Sequence, residues 1–168
     1  MTRRAALARA ALALAAAGLA GCAAPNPSAQ PQAHADLRIA TVAIDDSGLA
    51  SLDTSPVAAW VRASLSGRIA HALEGRMAPG DPAAATLTVR VDAVVLGPVG
   101  AGGGALDRIS GDASLRGGGV EEKPVGVAVT LPYVASRGDL IQAQPARERR
   151  VAALAQAFAD QLPGKLGL

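Results

Sequence analysis

Apolar residues recur at strand or helix spacing in six segments of the chain. Segment 37–44, LRIATVAI, is β-branched and apolar at nearly every position, which predicts a strand that is partly covered on both faces. In segment 57–73 apolar residues recur every four positions, which predicts an amphipathic helix that Ser55 and Pro56 begin and Gly75 ends. The apolar stripe of this helix consists of Val57, Val61, Leu65, Ile69 and Leu73, widened by Trp60 and Ala72.

Three later segments alternate between apolar and polar positions, as half-buried strands do. They are 86–96, 108–116 and 125–131, and no helical pattern separates them, so they predict an antiparallel meander. In the first of these segments the residues predicted to face the core are Leu87, Val89, Val91, Ala93 and Val95. A final helix is predicted from about Arg147 to Leu162, closed by Pro163 and Gly164, with one apolar side formed by Val151, Leu154, Ala155, Phe158 and Leu162.

The order strand, helix, three strands, helix predicts an α+β fold. Each helix has one apolar stripe and the sheet has one apolar face. All of this apolar surface is buried when both helices pack on that face of the sheet. The prediction is therefore a two-layer sandwich with a four-stranded, mainly antiparallel sheet. The other sheet face should meet water or a partner, because it carries Arg90, Asp92, Asp112, Ser114 and Arg116.

The start of the chain has the three-part pattern of an export signal. Three arginines precede an apolar run at 10–20, and small residues follow it. A retained membrane-spanning helix is the alternative, but a span needs about 20 apolar residues and this run is close to half that length. The ending Leu19-Ala20-Gly21-Cys22 resembles the lipobox of bacterial lipoproteins. The resemblance implies that residues 1–21 are removed and that Cys22 carries a diacylglycerol and a further acyl chain such as palmitate.

Cys22 is the only cysteine in the chain, so it has no disulfide partner. Each buried methylene contributes about 0.8 kcal/mol, so several acyl chains on one residue hold a domain firmly on a bilayer. The alternative is a free cysteine that packs as a small hydrophobe. By analogy with the lipoprotein family, Ala23 in place of an aspartate favours the outer membrane, with the inner membrane as the alternative.

Residues 22–36 are predicted to form the acylated cysteine and a disordered tether. The segment is rich in Pro, Ala and Gln and has no apolar period. His34 lies in this segment and is expected to be solvated. Residues 37–168 are then predicted to form a single periplasmic domain, since one core is typical of this length.

Charge and composition argue against nucleic-acid binding. Of the 16 Lys and Arg residues three precede Cys22, whereas none of the 14 Asp and Glu does, so the part from Cys22 onward is close to neutral. Phosphate binding needs clustered positive charge, and base stacking needs more aromatic residues than Trp60, Tyr133 and Phe158 supply.

The sequence contains no constellation of residues that predicts an enzyme, a metal site or a cofactor. A hydrolase would depend on His71, whose position beside the apolar stripe is better explained by a half-exposed helical histidine. Asp45 and Asp46 could bind a cation, but two acids before Ser-Gly are more typical of a turn. The segment 97–104, GPVGAGGG, lacks the Lys-Ser or Lys-Thr of a phosphate loop, so it is predicted to be a mobile hairpin loop and a candidate contact site.

One cluster of charge is unusual for its place in the chain. Arg147, Arg149 and Arg150 lie near the predicted start of a helix, where cations oppose the helix dipole. The simpler interpretation is a solvated first turn that Glu148 partly compensates. The alternative is a basic spot that contacts anionic lipid or saccharide phosphate.

The lipobox and the order of elements over 37–162 together resemble small envelope lipoproteins of Gram-negative bacteria, among them the lipopolysaccharide-assembly lipoprotein. The resemblance implies a non-enzymatic, membrane-anchored periplasmic lipoprotein that acts as an interaction or assembly module with an envelope protein partner. A lipid or glycolipid binder in envelope biogenesis is the alternative, and a hydrolase is a third hypothesis.

Overall fold

The computed structural model describes residues 34, 36–50, 56–98 and 104–168 of the chain. The predicted signal segment 1–21, Cys22, Ser55 and the middle of the glycine-rich loop lie outside the described residues. The predictions made for them therefore stay predictions.

The order of elements follows the predicted one, with four short additions. The strands are β1 (Ile39–Asp45), β2 (Ala85–Val95), β3 (Ala105–Gly117), β4 (Val120–Glu121) and β5 (Val125–Tyr133). The helices are α1 (Ser47–Ala50), α2 (Val57–Ala72), α3 (Arg137–Ile141) and α4 (Ala143–Lys165), with a short 3-10 helix at Glu74–Arg76. The two-residue β4, the 3-10 helix, α1 and α3 are the additions.

The strands form one sheet in which β1, β2 and β3 are consecutive neighbours, and β3 also pairs with β4 and β5. Strand β1 runs parallel to β2, because α2 lies between them in the chain. The β2, β3 and β5 pairings are antiparallel, as predicted for a meander. The α+β prediction is therefore confirmed.

Both long helices bury the apolar stripes that the spacing predicted. Val61, Leu65 and Ile69 of α2 have no exposed surface. Helix α4 buries all five predicted residues, which are Val151, Leu154, Ala155, Phe158 and Leu162. Together with the inward side chains of β1, β2, β3 and β5 they form one hydrophobic core. None of the helices among the described residues combines the length and the apolar character needed to cross a bilayer.

The predicted ends of α2 agree with the structure to within a residue or two, whereas those of α4 were wrong by several residues. Helix α2 ends at Ala72, and Gly75 belongs to the 3-10 helix that follows. Helix α4 begins at Ala143 and passes through Pro163 to Lys165. The proline removes one N–H, but the helix continues because the Leu162 and Pro163 carbonyls still accept bonds from Leu166 and Leu168, both at 2.9 Å.

A β-bulge in β2 reverses the predicted direction of Val95. The register with β3 shifts between Val91 and Ala93, so the side chains beyond the shift exchange faces. Val94 instead packs against the core, and Val95 is 56% exposed. Gly111 of β3 lies opposite this region, where a Cβ would come within 2.0 Å of the Arg90 carbonyl oxygen. Only glycine fits at this position without a backbone shift.

Candidate functional site

The three arginines of the predicted basic spot occupy three different environments. Helix α4 begins at Ala143, so these residues lie beyond its first turn, and the successive positions point in different directions. Arg147 and Arg149 are exposed, whereas the Arg150 side chain is only 6% exposed. The prediction that Arg150 contacts an anionic ligand is corrected, because its guanidinium is turned into the domain and already paired.

The Arg150 guanidinium forms a buried ion pair with Asp107 of β3. Its Nε donates to Asp107 Oδ2 at 2.8 Å, and its Nη2 donates to Asp107 Oδ1. The same Nη2 donates to the Gly97 carbonyl oxygen at 2.7 Å, while the Gly97 N–H donates to Asp107 Oδ1 at 3.0 Å. The Asp107 hydrogen bonds hold the pKa of Arg150 above its usual range. The Arg150 and Asp107 charges are therefore shielded from water, but each is neutralised by the other.

Tyr133, at the end of β5, stacks against the Arg150 guanidinium. Its ring centroid lies 4.3 Å from Arg150 Cζ, within the range of a cation–π contact. The buried Tyr133 hydroxyl has no partner of normal hydrogen-bond geometry among the described residues. The carboxylate of Asp139 still raises the pKa of Tyr133, because a phenolate beside it would be disfavoured.

Asp139 joins the start of α3 to α4. Ser136 and Asp139 form a capping box, in which Ser136 N–H donates to Asp139 Oδ2 at 2.9 Å. Arg149 donates to the other carboxylate oxygen. The pKa of Asp139 is lowered, first by the Ser136 backbone N–H and then by the Tyr133 and Ser136 side chains. Arg149, although 61% exposed, is thus the second of the three arginines with an internal partner.

This cluster fixes the point where the glycine-rich loop leaves the sheet. Gly97 is buried, and both its N–H and its carbonyl are held by the Arg150 and Asp107 side chains. Its position leaves no room for a side chain, because a Cβ would lie 2.7 Å from the Leu106 carbonyl oxygen. The loop predicted as a contact site therefore starts from a rigid, charge-paired base. Sequence reasoning missed this base because Asp107 and Arg150 are 43 residues apart.

The face of the sheet opposite the helices is polar, as predicted. Arg90 Nε lies 2.8 Å from Asp92 Oδ1, and Arg90 Nη2 lies 3.8 Å from Asp112 Oδ2. Towards the end where β2 begins, this face forms an open cavity of about 840 Å³. Hydroxyl and charged side chains line most of it, including Thr86, Thr88, Ser114, Arg116, Glu121 and Lys123. These groups can offer hydrogen bonds and charge to a partner.

His34 is bound to the domain, so the expectation that it is solvated was wrong. Its Nε2 contacts Glu122 Oε1, and both side chains are 15% exposed. Its backbone N–H donates to the Gly167 carbonyl oxygen at 2.8 Å, and Arg76 Nη1 donates to its carbonyl oxygen at 3.1 Å. Contacts from three distant parts of the chain hold this residue, and no local pattern in the sequence indicates them.

The remaining candidate residues have ordinary surroundings. The Ser47 side chain, and then the Ser47 N–H that donates to Asp45 Oδ1 at 3.0 Å, lower the pKa of Asp45. Asp46 binds Arg62 of α2 at 2.6 Å and raises the pKa of that arginine. His71 is 79% exposed, with Nδ1 3.6 Å from Glu74 Oε2. Within the described ranges no group of three His, Cys, Asp or Glu residues is placed to hold a metal ion.

No family model matches the chain, and no curated protein matches it. Similar solved structures include a minor lipoprotein from Acinetobacter baumannii, which is 14% identical over 76% of this chain and 92% of that one, with a TM-score of 0.37. Rare lipoprotein B from Shewanella oneidensis is 12% identical over 73% and 89% of the two chains, with a TM-score of 0.42.

A lipoprotein from Caulobacter crescentus CB15 is 23% identical over 76% of this chain and 92% of that one, with a TM-score of 0.39. Each of the three has the word lipoprotein in its name. TM-scores below 0.5 are too low for these structures to define the fold or the function of this chain.

Proposed function

We propose that this protein is a non-enzymatic lipoprotein of the bacterial envelope, anchored through Cys22, whose domain binds an envelope protein. The observation that carries the proposal is Leu19-Ala20-Gly21-Cys22 at the end of an export signal, a few residues before a folded α+β domain. A lipid anchor keeps such a domain beside the bilayer, where an integral membrane protein is the partner within reach.

The contact between His34 and the domain limits how far the domain extends from the anchor. Residues 23–33 separate Cys22 from His34, and a chain of this length in polyproline II form spans about 34 Å. This distance is similar to the length of an eleven-residue strand such as β2. The domain of the anchored protein would therefore lie against the membrane or within one domain length of it.

The surfaces described above favour a protein partner over a lipid ligand. The open sheet face carries paired charges and hydroxyl groups, which suit hydrogen bonding to a protein surface. A second cavity is also open, and charged side chains such as Asp36, Arg38 and Asp81 form part of its lining. Both cavities are open to solvent and have charged side chains in their linings, whereas acyl chains bind best in an enclosed apolar cavity. The lipid or glycolipid binder remains the second candidate because the anchored domain would stand beside lipid headgroups.

Anchoring and partner binding are tested separately. Metabolic labelling with palmitate should mark the wild-type chain, and a Cys22→Ser variant should lose the label and leave the membrane fraction. An unlabelled wild-type chain, or a Cys22→Ser variant that still fractionates with membranes, would refute the anchor. Separation of the two membranes by density should place the wild-type chain in the outer membrane, and recovery in the inner membrane would refute that location.

Partner binding is tested by crosslinking in intact cells and identifying the captured chains by mass spectrometry. The proposal expects one integral envelope protein at high yield, and replacing Arg90 and Arg116 by glutamine should reduce the yield. Extraction of the purified domain with organic solvent tests the alternative. Recovery of a stoichiometric acyl ligand would support the lipid binder and contradict the protein-interaction role.

A further inference from the structure

Strand β5 forms a long free edge of the sheet. It pairs with β3 along one side, from Ala105 opposite Tyr133 to Ala113 opposite Val125. Along its other side no residue in the described ranges contributes a backbone hydrogen bond. Every second residue of this nine-residue strand thus directs its backbone groups to an unpaired side, which is an arrangement that can accept another strand.

The edge of β5 lacks most features that prevent strands from pairing. Natural edge strands are usually short, charged or interrupted by a bulge. The segment Val125–Tyr133, VGVAVTLPY, contains no charged residue, and its pairing with β3 shows no shift in register. Pro132 is the exception, and a proline within an edge strand has its nitrogen on the unpaired side. Because successive backbone groups alternate sides, the groups of residues 126, 128 and 130 also face the free edge.

We propose that β5 pairs antiparallel with β5 of a second copy of this chain, about a two-fold axis at Val129. This register places Ala128 opposite Thr130 of the second copy and Gly126 opposite Pro132 of the second copy. All four residues are exposed on the open sheet face. The pairing joins two sheets into one and allows about six backbone hydrogen bonds across the axis.

A second copy fits this edge better than an unrelated strand, for two reasons. An uncharged strand can face its own copy without charge repulsion, which self-pairing requires. The proposed register also places Val127 opposite Leu131 of the second copy on the helix side of the sheet. Val125 and Leu131 are only half-buried there. Pairing would cover their remaining apolar surface and continue the row of apolar side chains on the helix side of the sheet across the interface.

Two variants that differ at one position test this register. In Ala128→Glu/Thr130→Glu, glutamates face glutamates across the axis, whereas in Ala128→Lys/Thr130→Glu lysine faces glutamate. Both variants carry the same glutamate beside Arg108 of β3, so the intrachain environment of position 130 is matched. The full chain, extracted in mild detergent, is measured by sedimentation with the detergent mass subtracted. Thermal unfolding of each variant shows whether it folds.

The wild-type chain and the Lys/Glu variant should sediment as dimers. The Glu/Glu variant should dissociate at least about tenfold more readily, because two pairs of like charges then face each other. A monomeric wild-type chain, or equal dimerisation of the two variants, would overturn the proposal. If the Glu/Glu variant does not fold, oxidation of a mixture of Ala128→Cys and Thr130→Cys chains decides. A disulfide-linked dimer of these two chains supports the pairing, and its absence contradicts it. A mixture in which Thr88→Cys replaces one of the two chains is the control.

Discussion

Substituting Arg150 or Asp107, which form a buried ion pair, should destabilise the domain. The effects of the two substitutions on stability should not be additive, because the two residues act as a pair. The informative variants are Arg150→Met, Asp107→Leu and the double variant, because these side chains keep much of the volume and remove the charge. Each single variant leaves one charge buried without its partner. The guanidinium is 6% exposed and the carboxylate 3%, so water cannot replace the lost contact without a local rearrangement.

The size of the effect follows from the contacts. Arg150 donates two hydrogen bonds to Asp107 and one to the Gly97 carbonyl, and it stacks on Tyr133. Loss of one partner of such a buried pair costs roughly 3–5 kcal/mol, a large part of a domain stability of about 5–15 kcal/mol. The double variant leaves no buried charge but leaves the Gly97 N–H and carbonyl unpaired, at a cost of about 1–3 kcal/mol each. Each single variant already unpairs one of these two groups in addition to the buried charge. The double variant should therefore be more stable than either single variant.

Urea unfolding of the mature chain with Cys22→Ser measures these differences, with Trp60 as the fluorescent probe. Arg147→Met is the matched control, since this exposed arginine lies one turn away on α4 and should change stability by less than about 0.5 kcal/mol. If Arg150→Met behaves like Arg147→Met, or if the single losses add up in the double variant, the buried-pair interpretation is refuted.

Three further predictions concern other parts of the domain. Gly111→Ala should destabilise the domain by about 1–3 kcal/mol or more, because its Cβ would lie 2.0 Å from a backbone oxygen. Gly126→Ala is the control and should be tolerated, because the nearest atom to its Cβ would lie at 3.8 Å. Equal urea midpoints for the two variants would contradict this. Because the pKa of Asp139 is lowered in the folded state, its carboxylate stabilises the fold above the unfolded pKa of 3.8. The extra stability of the wild-type chain over Asp139→Asn should therefore be lost progressively as the pH falls below that value. Urea unfolding at pH 7 and pH 3 measures this difference in stability, and a difference that does not shrink at pH 3 would refute the prediction. His34→Ala should speed hydrogen exchange at Leu37, and rates equal to those of the wild-type chain would argue against docking of His34 on Glu122.

The sequence predicted the elements whose apolar spacing is regular over several turns or strand residues. The stripes of α2 and α4 and the alternation in β3 and β5 were confirmed, because burial of one face requires a periodic pattern whatever the neighbours are. Element ends were less predictable, as Pro163 shows. A proline lowers helix stability by an amount that neighbouring hydrogen bonds and packing can offset.

The chemistry of the candidate site was decided by the tertiary structure. Arg147, Arg149 and Arg150 are equivalent cations in the sequence, yet only Arg150 meets an acid that β3 brings to it across 43 residues. The bulge that exposes Val95 and the docking of His34 on Glu122 likewise depend on partners distant in the chain. Local spacing sets which face of an element is apolar, because that is a property of each segment alone. Pairing of charges, register shifts and the free edge of β5 arise only when separate segments meet.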